Sequence, residues 1–281
     1  MKEPLAAIPN GWVRIILFLL AYIVSVIVLS TVLATLIITR KVNIEMNSNT
    51  VLQLLVITSL ISLLLVVVFR IYIDKKSVKS LGLLPFTKDA LLGFLLSIVI
   101  LGCGTLLLYA NGNLQWTDFS FDAGPFFAGL GILLLVAFAE EMVFRGYILN
   151  NLLAVSNNKW AALAISSLLF TAVHMSNLGI NVVAVLNLFL AGCLLGLNYI
   201  YTKNLWFAIL FHFGWNFFQG PVLGFDVSGL GMSAILQPEL SGNPLLTGDK
   251  FGFEGSLIAT MLMLVTILLL YLAFEKRKPE E

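Results

Sequence analysis

Residues 125–149 read PFFAGLGILLLVAFAEEMVFRGYIL, and this stretch decides what solvent the chain folds in. Up to Ala139 it carries no ionisable side chain. Its apolar residues fall all round a helix rather than along one stripe, the pattern of a helix in lipid or inside a membrane bundle. A transmembrane helix needs roughly 20 predominantly apolar residues, and about eight such stretches can be marked along the chain. They run from about Trp12 to Thr39, Val51 to Ile73, Ala90 to Ala110, Pro125 to Leu149, Trp160 to Met175, Ile180 to Tyr201, Leu205 to Phe218 and Ser256 to Phe274. The fifth and seventh are short, which predicts tilt or partial burial. The first is too long for a signal-peptide core and has no small-residue cleavage site after it, so it reads as a retained helix.

Composition agrees. Hydrophobic residues make up 59% of the 281 positions and charged ones 11%, too apolar a surface for water. The expected fold is therefore all-α, a polytopic membrane helix bundle forming a single integral membrane domain over residues 1–281, with no linker or repeat dividing it. A formal net charge of +1 argues for neither nucleic acid nor an acidic polymer as a partner, since phosphate binding needs clustered surplus base, and no nucleic acid is expected. Cys103 and Cys193 lie inside apolar stretches, outside any CxxC or Cys/His cluster, and read as packing residues.

Orientation follows from where Lys and Arg collect. Lys75, Lys76, Lys79 and Lys88 follow the second stretch, Lys159 the fourth, Lys203 the sixth, and Lys276, Arg277 and Lys278 the eighth. Arg40 and Lys41 after the first are the exceptions. The bias predicts a multi-pass protein with both termini in the cytoplasm. Residues 219–255, with Gly, Pro, Ser and scattered acids, then form the one sizeable extracytoplasmic loop, with a re-entrant portion expected around Leu230 to Leu236.

Ionisable groups inside a bilayer cost about 2.5 to 3.5 kcal/mol each on insertion scales, so each one needs a reason. Glu141 and Arg145 are four apart, within salt-bridge reach on one helix face. Glu140 points about 100° away from Glu141, so its carboxylate, lacking an in-helix counter-ion, projects toward another helix as a general base would. The only two histidines are His174, in the fifth stretch, and His212, in the seventh, where Asn216 shares its helix face. Counting ~1.5 Å per residue from the basic loops puts Glu140, His174 and His212 on the order of 10 to 20 Å below the cytoplasmic surface. Taken singly, an intramembrane His or Asn is often only a hydrogen bond between helices, and Asn187 is read that way. Two histidines, an unpaired Glu and an Asn at matching depth point instead to a site.

Glu140-Glu141-xxx-Arg145, Phe170-xxx-His174 and His212-xxx-Asn216, in that order and each on its own apolar helix, resemble the motifs of the CPBP family. That family includes CAAX prenyl endopeptidases and bacterial proteins linked to bacteriocin processing and self-immunity. The matching catalytic core spans residues 125–218. The resemblance implies an intramembrane endopeptidase acting on a membrane-associated or lipidated peptide or protein at the lipid bilayer. By the same resemblance, Glu140 with His174 activates a water, His212 and Asn216 donate to the oxyanion, and Glu141 with Arg145 positions the first glutamate. Some members have been described as metallopeptidases. Glu140, His174 and His212 could offer zinc one oxygen and two nitrogens, but no HExxH is present and no cofactor is expected. Two alternatives use the same residues. One is a non-proteolytic immunity or scaffold protein, and the other is a transporter or proton relay, against which no paired interrupted helices appear.

Overall fold

A computed structural model of the protein describes residues 6–40 and 48–276. Lys41, Arg277 and Lys278, used above for orientation, lie outside the described residues. Helices α1 (Gly11–Arg40), α2 (Ser48–Val68) and α3 (Lys88–Ala110) are followed by a strand, β1 (Leu114–Phe119). Helix α4 (Ala123–Glu141) passes through a wide π-helical stretch, Met142–Leu149, into α5 (Asn150–Val155). Then come α6 (Lys159–Val173), α7 (Val182–Thr202), α8 (Trp206–Phe217), β2 (Leu236–Leu240), the single turn α9 (Pro244–Thr247) and α10 (Leu257–Lys276). The protein is a polytopic helical bundle. Among the described residues six helical segments are long and apolar enough to cross a membrane, and α6 is a shorter apolar helix. All eight apolar stretches of the sequence are helical, because a chain in lipid must satisfy its backbone hydrogen bonds within each segment.

One expectation is corrected. The fourth helix does not stop at Leu149 but runs on to Val155. Glu140 therefore stands near the middle of that span, roughly 20 Å from its basic end at ~1.5 Å per residue, at the deep end of the range expected from the sequence. The region around Leu230 to Leu236 forms no helix. It leads into β2, which pairs antiparallel with β1 (Leu114 opposite Leu240, Phe119 opposite Leu236) in a two-stranded sheet.

The site is positioned by close helix approaches. Helix α8 lies between α3 and α4, while α7 packs against α6 and α10. Small residues permit this, as is common where helices meet without a hydrophobic drive from water. A β-carbon at Gly192 would come within 2.7 Å of the Ser167 β-carbon, and one at Gly214 would overlap the Ser97 hydroxyl. At the basic end, Asp74 is fully buried and ion-paired with Arg14 (3.3 Å) and Arg70 (2.8 Å), tying α1 and α2 together. The basic loops meet there: Asn204 Nδ2 donates to the Pro85 carbonyl (3.1 Å), and the Lys159 ammonium lies over the Tyr201 ring. Burial, helped by Lys159, pushes the Lys203 ammonium below its ordinary value.

Candidate active site

Helices α4, α6 and α8 each bring one part of the site. Helix α6 starts at Asn158, whose side chain accepts from the Trp160 and Ala161 amides. It ends at His174, which is its C-cap residue (φ −91°, ψ −5°) and not part of its interior. From this exit His174 Nε2 reaches to 3.7 Å from Glu140 Oε2, and His212 Nε2 on α8 stands 3.9 Å from the same oxygen. These separations are too long for direct hydrogen bonds. They suit a water between the three atoms, about 2.8 Å from each. Glu140 Oε2 is buried and has no hydrogen-bond partner among the described residues, a state a buried carboxylate oxygen rarely keeps. The Glu140 side chain nonetheless remains 28% exposed, so the acid is reachable.

The other face of each imidazole fixes its tautomer. His174 Nδ1 lies 2.8 Å from the Phe170 carbonyl oxygen. A carbonyl only accepts, so Nδ1 carries the proton and a neutral His174 presents a lone pair at Nε2. His212 Nδ1 lies 3.0 Å from Glu141 Oε1, the carboxylate that also receives Arg145 at 2.7 Å, and the same assignment follows. Arg145 is held further by the Gly192 carbonyl (3.2 Å) and by the Phe170 ring, 4.5 Å below its guanidinium. The close approach at Gly192 brings that carbonyl within reach. Glu141 thus joins Arg145 on its own helix to His212 on α8, and Phe170 carries both the cation–π contact and the His174 hydrogen bond.

His174, His212 and Asn216 line one cavity of about 50 Å³, room enough for ordered water. The amide of Asn216, 8% exposed, has no protein hydrogen-bond partner among the described residues and faces this space as a free donor. Glu140 is not part of the cavity wall. Its Oε2 adjoins the cavity through the Nε2 edges of the two imidazoles that line it. The remaining wall is mostly apolar (Phe170, Leu188, Leu195, Phe211, Met263), with Asn187 on α7 and with Ser228 and Glu254 closing it from the segment before α10.

Asn187 also borders the cavity but is fully engaged. Its Nδ2 donates to the Glu254 and Ser256 carbonyls (2.6 and 2.8 Å), and its Oδ1 accepts from Thr260 (2.7 Å). Sequence reasoning missed Glu254 and Ser228. The usable signal was an acid set alone between Phe253 and Gly255, directly before an apolar span. Among the described residues no group of three or more His, Cys, Asp or Glu has the spacing of a metal site.

Residues 122–218 match the family described as Type II CAAX prenyl endopeptidase Rce1-like. The matched segment contains Glu140, Glu141, Arg145, His174, His212 and Asn216. Among curated proteins none matches the chain.

Proposed function

From the premise that this chain carries a type II CAAX prenyl endopeptidase Rce1-like domain over residues 122–218, we propose that it is a glutamate-dependent intramembrane endopeptidase. It hydrolyses a peptide bond in a membrane-associated or lipidated peptide or protein. One observation carries this reading: a buried, unpartnered Glu140 Oε2 facing two imidazole Nε2 atoms at 3.7 and 3.9 Å. A water held between them gives one proton to Glu140 as its oxygen attacks the scissile carbonyl, while its other O–H, which stays on the attacking oxygen, donates a hydrogen bond to the His174 Nε2 lone pair. Negative charge then develops on the carbonyl oxygen. Asn216 is a ready donor to it. His212 donates from Nε2 only when it carries both ring protons, and Glu141 at 3.0 Å faces that imidazolium through Nδ1. Glu140 returns its proton to the leaving amine, which completes hydrolysis without a cofactor. Glu141 and Arg145 are positioning residues that hold His212 and the turn after Glu140.

Loops carrying Lys75, Lys76, Lys79, Lys159 and Lys203 mark the cytoplasmic end of the bundle, with both termini on that side and residues 219–255 on the other. Comparative peptidomics of membranes carrying wild type or Glu140→Ala tests the activity. Cleavage products present with wild type and lost with Glu140→Ala are expected. An identical peptide set from both, with bacteriocin protection retained by Glu140→Gln, would assign a binding role instead. Cleavage abolished by a chelator and restored by zinc would replace the water-and-glutamate mechanism with a metal-assisted one.

A further inference from the structure

The wall of the cavity opposite the imidazoles holds a feature the hydrolytic scheme leaves unused. Glu254 lies in the short turn Phe253–Gly255 just before α10, outside the family segment, and is 8% exposed. Its backbone carbonyl is fixed by Asn187 (2.6 Å), so the turn cannot swing away from α7. Its Oε1 accepts from Gln219 Nε2 (3.1 Å) and its Oε2 from the Ser228 hydroxyl (2.7 Å). All of these donors are neutral. Among the described residues no Lys or Arg forms an ion pair with Glu254. Buried carboxylates are normally matched by a cation, and the Arg145 guanidinium is already committed to Glu141. Burial accordingly pushes the Glu254 carboxyl above its ordinary range, with the Ser228 hydrogen bond, the facing imidazoles of His174 and His212 and the Trp215 side chain pulling the other way. Trp215, another neutral donor on the cavity wall, also reaches this carboxyl, and three neutral donors leave one of its roughly four lone-pair sites open to a cation.

We infer that Glu254 is the specificity residue of this cavity, receiving the ammonium or guanidinium of a basic side chain close to the scissile bond. The inference rests on the endopeptidase reading for the identity of the substrate but not for the binding of the cation. The aliphatic stem of such a side chain lies along Leu188, Leu195 and Met263, as long cationic side chains do on apolar surfaces. Its head then meets the only acid on that wall. The same substrate extends past His174, His212 and Asn216, which line the same cavity.

The test is a titration of the full-length protein in nanodiscs with n-pentylammonium and, separately, n-pentanol, following the thermal unfolding midpoint. It is run on Glu140→Ala protein, so that hydrolysis plays no part and failure of the endopeptidase reading stays distinguishable. The ammonium is expected to bind at least tenfold tighter than the alcohol, and Glu254→Gln to remove that difference while leaving alcohol affinity in place. Equal affinities, or selectivity retained in Glu254→Gln, would overturn the inference. Met263→Lys guards against a Glu254 variant that does not fold, because it tethers an ammonium inside the cavity. External pentylammonium should then lose its preference over pentanol, and an unchanged preference would also overturn the inference. For a substrate found by peptidomics, Glu254→Gln should raise KM about tenfold for a lysine-containing peptide but not for its norleucine counterpart.

Discussion

Replacing Glu141 by leucine leaves the Arg145 guanidinium, 1% exposed, with only the Gly192 carbonyl and the Phe170 face as partners. Removing one member of a buried ion pair typically costs about 3–5 kcal/mol, because the survivor stays desolvated and uncompensated. The reverse change, Arg145→Met, is expected to cost less. Glu141 then still has His212 Nδ1 at 3.0 Å, and His212 can take up a proton and become its counter-ion. Exchanging both residues removes both charges and leaves a shape that hydrocarbon side chains can fill, and such exchanges are often near neutral. The double variant still leaves the buried His212 Nδ1–H without its acceptor, so it should lose about 1–3 kcal/mol, less than the two single losses together, giving a coupling of about 3 kcal/mol between the two positions. Unfolding of the four proteins in mixed micelles, titrated with SDS and followed by tryptophan fluorescence, measures all the terms. Single variants that each lose under ~1 kcal/mol, or losses that simply add, would refute the claim that this pair is a desolvated and mutually dependent unit. The double variant should also lose peptidase activity although it still folds, because His212 no longer has a carboxylate to fix its ring.

Asn216→Ala should lower kcat by about 10²–10³ with KM little changed, the effect of deleting one oxyanion donor; a change confined to KM would make Asn216 a ground-state binding residue. Stability should depend on pH through Glu254, whose carboxyl is raised above its ordinary 4.5 in the folded protein. As pH climbs through 4.5 toward the raised value the unfolded chain releases its proton first, so stability falls across that window. Glu254→Gln should flatten this part of a thermal midpoint series from pH 4 to 8, and an unchanged slope would place the titration elsewhere. In a protein with Cys103 and Cys193 replaced, single cysteines at Lys79 and Phe119, both exposed, should label from opposite sides of the membrane. Labelling from one side only would contradict the bundle's polarity.

Much of the architecture was legible because lipid enforces it. A run such as residues 125–139 has no low-energy choice but a helix, since every amide must be satisfied within the segment. The cost of placing charge among such runs made Glu140, Glu141, Arg145, His174, His212 and Asn216 conspicuous. Local spacing also gave the Glu141–Arg145 pair, because four residues make one helix turn. It did not give the wide turn over Met142–Leu149 that follows Glu141, nor the continuation to Val155, because polar Asn150 and Asn151 read as the end of the apolar run.

By itself, then, the order of residues determined which segments cross the lipid and which side chains require an explanation there. Both follow from short-range accounting of apolar length and isolated charge. Tertiary packing alone decided that two imidazoles turn their Nε2 edges to one carboxylate oxygen, because the partners that fix their rings are a neighbouring carbonyl and a glutamate on another helix. It alone decided that Glu254, 80 residues beyond His174 in the chain, closes the cavity His174 lines. Contacts between such distant positions depend on how closely helices pack at Gly192 and Gly214, and no local pattern encodes that distance.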